Sequence, residues 1–165
     1  MANPALEKVP NYPFAAFNFA VEIDVPGVTN EVCSAAFAEC DGLEMTMDVK
    51  TIREGGNNTQ QVRLTGAVNY GTLTLKRGMT ANFDLWKWFG TLYEPDKGGV
   101  RGKATVVLLA PDRETRRAEF VLTGCVPVKL KAPSLNAKDG MVAIEEFQIA
   151  YETLQLVPTT EPQSA

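Results

Sequence analysis

The sequence predicts a mainly β domain, an antiparallel β-barrel or sandwich with one principal flanking α-helix. Apolar and polar residues alternate along most of the chain, a single segment at residues 80–95 has a helical pattern, and 165 residues suit one domain. We expect this domain to span residues 14–157. An extended N-terminal arm, residues 1–13, contains three prolines, and a flexible C-terminal tail covers residues 158–165.

Four strands are predicted before the helix. The first begins at Phe14, continues with apolar residues at every second position, and ends at a Pro-Gly pair. The second covers residues 37–53 and contains a glycine, Gly42, which indicates a bulge. A polar loop at residues 53–61 then leads into two further strands, within the sequences QQVRL and YGTLTLKRG.

The helix is predicted over residues 80–95. Thr80 or Asn82 would cap its N-terminus, and Pro95 would end it. Its apolar residues extend beyond one stripe, so we expect it to be covered by a sheet and by a neighbouring chain. The residues expected to pack this helix are Phe83, Trp86, Trp88 and Phe89.

Three strands are predicted after the helix, at residues 102–110, 116–131 and 141–157. In the last of these the apolar residues change phase near the adjacent pair Glu145 and Glu146. A bulge or a sharp bend at this pair is the simplest explanation.

The composition excludes several classes of enzyme and binding protein. The chain has no histidine, which excludes Ser-His-Asp and Cys-His catalysis and histidine-ligated zinc. We therefore predict a protein that is not an enzyme, with no catalytic residue, metal or cofactor. Three cysteines, Cys33, Cys40 and Cys125, are expected to be small apolar fillers, although a Cys33–Cys40 disulfide is left open.

Charge and hydrophobicity argue against two kinds of partner, nucleic acid and the membrane. The net charge is −4 and the Lys and Arg residues are scattered, so sequence-specific nucleic-acid binding is not expected. No apolar run approaches the roughly 20 residues of a membrane-spanning helix, so the subunit is not expected to insert into a membrane. No secretory signal is visible, which predicts assembly in the cytoplasm.

An ordered series of motifs extends this interpretation. FNFAVEI is followed by FAECDGLEMTMDV, IREGGNN, RLTGAVNYGTLTLKRG and LWKWF, and VPVKLKAPSLNAKDGMVAIEEFQIAYETL closes the set. In these motifs, over about residues 14–156, the chain resembles the tail tube proteins of contractile phages and the inner tube proteins of related contractile injection systems. The resemblance implies hexameric rings that stack head to tail into a tube. It also implies a surrounding sheath, baseplate and tape-measure proteins, and a lumen that conducts DNA or effector proteins.

The resemblance also gives the polar loop at residues 53–61 a role. In the family this loop lies at contacts between rings, and its glycines allow backbone angles closed to other residues. A hairpin tip without partners is the alternative. The residues expected at the contacts between rings or subunits are Arg53, Glu54, Gly55, Gly56, Asn57, Asn58, Lys76 and Arg77.

Two other functions are left open. One is a secreted hexameric ring that carries effectors, as in type VI secretion, which shares the fold. The other is a small β-barrel enzyme or ligand-binding module that uses the Glu145 and Glu146 carboxylates. Adjacent strand residues point to opposite faces, which disfavours the second.

The charge suggests how a tube lumen would be lined. A ring of six chains would carry six times −4, a net charge of −24, and an acidic lumen would let DNA or an acidic effector pass without binding. The sequence offers two candidate linings and does not choose between them, and for either one an ordinary solvated outer face is the alternative. The first is Asn18, Glu22 and Asp24, and the second is Glu44, Thr46 and Asp48.

Overall fold

The computed structural model describes residues 13–27, 33–35, 37–53, 55–56, 60–96, 99–138 and 140–159, and for residues 33–35 only the backbone. Over these residues the chain forms ten strands and one short helix. In chain order they are β1 (Phe19–Asp24), β2 (Cys33–Ala35), β3 (Glu39–Asp41), β4 (Met45–Ile52), β5 (Val62–Tyr70), β6 (Thr72–Gly78), α1 (Asp84–Thr91), β7 (Gly102–Leu109), β8 (Arg116–Lys131), β9 (Ile144–Ala150) and β10 (Thr153–Pro158). This architecture confirms the predicted mainly β class with one principal helix.

Eight strands pair antiparallel in one continuous sheet, in the order β2-β1-β7-β8-β9-β6-β3, with β10 also pairing with β8. The 16-residue strand β8 joins the two halves of this sheet. Its first half lies between β7 and β10, and its second half pairs with β9. Gly124 lies between these halves at a φ of +65°, a conformation that side chains with a Cβ rarely adopt. We call these eight strands and α1 the body.

The core of the body joins side chains from both halves of the sheet. Val21 and Leu122 come from one half, and Leu75 and Phe147 come from the other, and all are at most 1% exposed. The ring of Trp88 from the helix meets Phe147 edge-on at 5.6 Å between centroids. The alternating pattern therefore produces one shared core, because every second residue of each strand points inward.

The helix is shorter than the predicted span of residues 80–95. The backbone before it is held outside the helix, because the Asn82 carbonyl accepts a hydrogen bond from Arg77 Nη2 at 3.1 Å. The Asn82 side chain binds the N–H of Asp84 at 2.9 Å, although Phe83 occupies the N-cap position itself. After Thr91 the chain continues in tighter turns, where each N–H bonds to the carbonyl three residues earlier. No helix among the described residues is long and apolar enough to cross a membrane.

Two predicted strands are divided in the structure. The strand predicted at residues 37–53 is interrupted at Gly42, where φ is +92°, so that β3 and β4 belong to different sheets. The strand predicted at residues 141–157 bends after β9, at Tyr151, and not near Glu145 as the change of phase predicted. The pattern changes phase because Glu145, a charged residue, is buried in the body at 2% exposure.

Candidate assembly surface

Strands β4 and β5 form a hairpin that is separate from the main sheet. They pair with each other, and no ladder within the described residues joins either one to the body. The strands have 8 and 9 residues, and every residue of β4 is exposed. In β5, Gly66 and Tyr70 alone are less than fully exposed. This hairpin is therefore an arm of the subunit and contributes little to its core.

The register gives the hairpin one apolar face. Met45 lies opposite Tyr70, and Met47 lies opposite Val68. A bulge follows, between Met47 and Val49, and Val49 continues on the same side of β4. We call Met45, Met47, Val49, Val68 and Tyr70 the apolar face. Met45, Met47, Val49 and Val68 are 60%, 50%, 54% and 42% exposed.

The opposite face is polar near the body. Thr46 Oγ1 donates to the Asn69 carbonyl at 3.4 Å, and Asn69 Nδ2 donates to Asp48 Oδ2 at 3.1 Å. We call Thr46, Asp48, Lys50 and Asn69 the polar face. On the same side Leu64 lies opposite Lys50, and Ile52 and Val62 follow towards the tip of the hairpin; all three are exposed. The two faces therefore differ in chemistry over the half of the hairpin nearest the body.

Such a hairpin is unusual for an isolated subunit. A two-stranded ribbon is marginally stable alone in water, and a contiguous exposed apolar surface marks an interaction site. Both of its outer edges, over the described residues, offer unpaired backbone N–H and C=O groups. A second chain would cover the apolar side chains and satisfy these backbone groups together.

The loop at the tip of the hairpin is described in part. Arg53, Gly55 and Gly56 are exposed, while Glu54, Asn57 and Asn58 lie outside the described residues. Gly56 has a φ of +93°, and a Cβ on either glycine would meet open space. Gly56 is therefore required for its backbone conformation and not for close packing within the subunit.

Lys76 and Arg77, both expected at contacts between subunits, have different environments. Lys76 lies at the surface and binds Glu39 at 2.6 Å, which raises the pKa of Lys76. Arg77 is 3% exposed, and its Nε atom donates to Glu145 Oε1 at 2.5 Å. The guanidinium also lies 5.8 Å from the centroid of the Phe37 ring. Lys76 is accessible to another chain, whereas the expected contact for Arg77 does not agree with its position inside the body.

The Arg77–Glu145 pair connects the helix to the sheet. The second carboxylate oxygen of Glu145 accepts a hydrogen bond from Trp86 Nε1 at 3.1 Å. Among the residues expected to pack the helix, Trp88 is fully buried and Phe89 packs against the core. Trp86 and Phe83 are 38% and 49% exposed, so part of the aromatic surface faces outward.

The two carboxylates considered for acid–base work are separated. Glu145 points into the body, whereas Glu146 lies on the opposite face and binds Lys129 at 2.9 Å, which lowers the pKa of Glu146. Within the described part of the chain, no cluster of three His, Cys, Asp or Glu residues could hold a metal ion. A surface groove of about 450 Å³ beside Lys76 and Lys131 contains Glu146 and mostly apolar residues. Glu146 is the one carboxylate among the described residues that line this groove, so no convergent pair of carboxylates forms there.

The cysteines whose side chains are described are free thiols. Burial raises the pKa of Cys40 to about 11, with a smaller contribution from the negative charge of Asp41. Burial also raises the pKa of Cys125 to about 11. Both thiols are therefore protonated near neutral pH, as expected for apolar fillers. The side chain of Cys33 lies outside the described part of the chain.

One of the two candidate lumen linings contains a buried residue. Asn18 is 4% exposed, and its side chain donates to the Ala110 carbonyl at 3.3 Å. Asn18 is therefore not available to line a lumen. In the other set Glu44, Thr46 and Asp48 are all exposed, at the root and on the polar face of the hairpin.

Sequence reasoning missed the most prominent feature of this surface, the separation of the hairpin from the body. The alternation of Met45, Met47 and Val49 is the same as that of a core strand. A signal was present in the glycines at both ends of the excursion. Gly42 has a positive φ, and a Cβ on Gly71 would overlap the Glu44 side chain. Both positions require glycine where the chain leaves and re-enters the body.

Solved structures share this fold. A chain in the anti-feeding prophage baseplate superposes with a TM-score of 0.79 and 24% identity, covering 89% of this chain and 97% of that one. A chain in the sheath-tube complex of the PVC extracellular contractile injection system superposes with a TM-score of 0.77 and 17% identity. The match covers 96% of this chain and 100% of that one. A chain in the anti-feeding prophage tube-terminating cap superposes with a TM-score of 0.76 and 17% identity, and the match again covers 96% of this chain and 100% of that one. No curated protein sequence matches the chain.

The family comparison gives a more specific result than the fold. The family model described as "T4-like virus tail tube protein gp19" matches residues 15–155, which include all strands from β1 to β9 and the helix. The motifs quoted from the sequence all lie within this match, so the resemblance stated from them is confirmed. The chain therefore belongs to the T4-like virus tail tube protein gp19 family and is a structural subunit of a tail tube.

Proposed function

We propose that the chain assembles with copies of itself into hexameric rings that stack into the inner tube of a phage tail or tail-like injection particle. Membership of the tail tube family supports the tube. Chains of the same fold occur in structures described as a sheath-tube complex and as a baseplate with 6-fold symmetry, which supports the ring size. The role is mechanical, and no reaction is assigned to the chain.

The hairpin is the observation that carries this proposal. Its apolar face exposes Met45, Met47 and Val49 together, and nothing described in the same chain covers them. In a ring, the body of the neighbouring copy covers this face, and the hairpin edges pair with strands of that copy. A contact of this kind is heterologous, so it closes into a ring by rotation and leaves no surface of this type exposed.

The two faces of the hairpin support one orientation of the hairpin in the ring. When the apolar face is buried against the neighbour, the polar face turns towards the lumen, where Thr46 and Asp48 are joined by Glu44. Together with Glu44, the polar face carries two carboxylates, Glu44 and Asp48, and one cation, Lys50, a net charge of −1 for each chain. A cargo of DNA or acidic effector protein is repelled by such a wall and does not bind to it.

The remaining contacts follow from this orientation. The tip of the hairpin, Arg53 to Asn58, reaches the next ring, and Lys76 contributes to contacts at the surface of the body. The contractile sheath surrounds the tube, and baseplate and tape-measure proteins define its start and length. Subunits are synthesised and assembled in the cytoplasm and then become part of the particle.

Assembly of the purified protein tests the proposal. We expect the wild-type chain to form rings or tubes that are visible by negative-stain electron microscopy and that sediment as large species. Met47→Asp places a charge in the centre of the apolar face, and we expect a folded monomer that does not assemble, because a buried unpaired carboxylate opposes the contact. Circular dichroism would verify that the variant is folded, which is expected because Met47 is half exposed in the subunit.

Two further variants make the test specific. Met47→Leu keeps the volume and apolar character of the side chain and should assemble like the wild type. Deleting residues 55–58 should leave rings that stack poorly, which separates the loop from the hairpin strands. Wild-type protein that remains monomeric at high concentration, or Met47→Asp protein that forms normal tubes, would contradict the proposal.

A further inference from the structure

A buried tyrosine of the body, Tyr151, forms hydrogen bonds with the root of the hairpin, where Leu43 and Tyr70 also pack against the core. The chain enters the hairpin through residues 42–44 and leaves it through residues 70–72. The Tyr151 hydroxyl lies 2.8 Å from the Gly42 carbonyl and 3.1 Å from the Glu44 carbonyl, and accepts from the Glu44 N–H at 3.2 Å. A hydroxyl has one proton and two acceptor sites, so its donated hydrogen bond is shared between the two carbonyls.

The backbone at this root is too close-packed for side chains. A Cβ on Gly42 would overlap the carbonyl group of Thr72, and a Cβ on Gly71 would overlap the Glu44 side chain. The Gly71 N–H bonds to the Glu44 carbonyl at 3.2 Å. The incoming and outgoing segments therefore touch through their backbones at Gly42 and Glu44, whose carbonyls lie within hydrogen-bonding distance of the Tyr151 hydroxyl.

Tyr151 itself belongs to the rigid part of the body. It is 6% exposed and lies in the core cluster, at the bend between β9 and β10. Its ring packs on the Tyr70 ring at 5.8 Å between centroids. The next residue, Glu152, donates its N–H to the Thr123 carbonyl at 2.9 Å, which holds the bend against β8. The hydroxyl is therefore a fixed point from which the root of the hairpin is positioned.

The direction of the hairpin depends strongly on this point. A strand of 8 residues at about 3.4 Å per residue reaches roughly 27 Å, so a rotation of ~10° at the root moves the tip by ~5 Å. Such a displacement is as large as the separation of paired strands, which is about 4.8 Å. No ladder to the body opposes the rotation within the described residues.

We propose that Tyr151 is a positioning residue for assembly, whose hydroxyl fixes the direction in which the hairpin leaves the body and so presents the apolar face to a second copy of the chain. This proposal rests on the proposed function, because it assumes that the hairpin forms the contact between copies. It adds a residue that touches no other subunit and yet sets how tightly subunits join.

Tyr151→Phe tests the proposal because it retains the ring and its contact with Tyr70 and removes the hydroxyl alone. Hydrogen exchange of the monomer should show amides of β4 and β5 exchanging roughly tenfold faster, while those of β6 and β9 keep their protection. The protein concentration at which tubes form should rise by roughly tenfold. A role in folding alone would change the protection of the whole body and would leave the hairpin no more affected than the rest.

Ile23→Val is the matched control. Ile23 is 1% exposed in β1, a strand that pairs with β2 and β7 and not with the hairpin, so we expect this change to weaken the core by a comparable amount without altering the hairpin. We expect hairpin exchange and the concentration for assembly to equal those of the wild type at temperatures where the variant is folded. An increase in that concentration equal to the one in Tyr151→Phe would overturn the proposal, because it would attribute the effect to stability.

The remaining outcomes separate the two proposals. Unchanged hairpin exchange in Tyr151→Phe overturns the anchoring role while the proposed function stands. Faster hairpin exchange with unchanged assembly overturns the link between hairpin direction and assembly. Wild-type protein that does not assemble under any condition overturns the proposed function and the assembly role of Tyr151, and the exchange measurement then decides whether Tyr151 anchors the hairpin.

Discussion

The body and the hairpin use the same alternating sequence pattern for opposite purposes. Val21 in the body and Val49 in the hairpin are the same residue type in the same backbone conformation, yet Val21 is 0% exposed and Val49 is 54% exposed. In the body the apolar side of a strand meets another layer of the same chain. In the hairpin the apolar side chains of Met45, Met47 and Val49 meet solvent, whereas Tyr70, at the root of the same face, packs against the body.

This difference separates the free energy of folding of the subunit from the free energy of its association with other chains. The stability of the subunit comes from the body, where apolar side chains are removed from water and the one buried ion pair of the described residues is satisfied. The apolar surface of the hairpin contributes its free energy only when another chain covers it. Substitutions in the two regions should therefore affect different measurements, and three predictions test this, beginning with the largest effect.

The buried Arg77–Glu145 pair should dominate the stability of the body. Arg77→Met leaves the Glu145 carboxylate buried without its charged partner, and we expect a loss of about 3–5 kcal/mol in the free energy of unfolding, measured with urea. Adding Glu145→Gln removes the remaining charge and keeps an acceptor for Trp86 Nε1, so the double variant should recover part of the loss. The double-mutant cycle gives the coupling between the two residues.

Lys76→Met is the control for this cycle. Lys76 is the neighbour of Arg77 on β6, but its ion pair with Glu39 is at the surface and is screened by solvent. We expect its unfolding free energy to stay close to that of the wild type. If Arg77→Met and Lys76→Met had the same small effect, the burial of Arg77 would not be what stabilises the join between helix and sheet.

The valine pair gives the next largest effect. Val21→Ala should reduce the free energy of unfolding of the monomer by about 1.5–3 kcal/mol, because a fully buried side chain is truncated. Val49→Ala should change it by less than about 0.5 kcal/mol, because the side chain is already half exposed. Both changes in unfolding free energy would be measured by urea unfolding in the Met47→Asp background, which is expected to stay monomeric. Equal losses in the two variants would mean that the hairpin packs against its own body in solution.

The sequence predicted most strands of the body because their constraint is local, although it missed the short strand β2. Leu73 and Leu75 alternate with Thr74 and Lys76, and both leucines are fully buried. The pattern did not predict which strands share a layer, since alternation specifies the two faces of a strand but not what lies against them. This is why Met45 and Met47 resembled core residues.

The site was harder to predict for a related reason. Lys76 and Arg77 are adjacent and carry the same charge, so the sequence offers no means to distinguish them. The register between β6 and β9 distinguishes them, because it pairs Arg77 with the inward Glu145 and Lys76 with the outward Glu146. Strand register depends on contacts between residues nearly 70 positions apart, and a single sequence does not contain it.

The smallest expected effect on stability concerns the turn between β7 and β8. This turn is a loop of the body and can be compared with the loop at the tip of the hairpin. The Asp112 carboxylate accepts bonds from the Thr115 hydroxyl at 2.5 Å and from the Glu114 and Thr115 N–H groups at 3.0 Å. These hydrogen bonds lower the pKa of Asp112 to about 2, and the bond from the Thr115 hydroxyl makes the largest contribution. The hairpin loop shows no comparable side-chain contact among its described residues.

Because the folded pKa of Asp112 lies below the usual value of about 3.9, its contribution to stability is present above pH ~4 and is lost as the pH falls towards 2. NMR titration should give this low pKa directly, and Thr115→Ala should move it upward by removing the largest cause. Asp112→Asn should remove the corresponding pH dependence of the unfolding free energy between pH 2 and 4. A wild-type Asp112 that titrates near 3.9 would mean that this turn is as open as the tip of the hairpin, and the contrast between the two loops would be wrong.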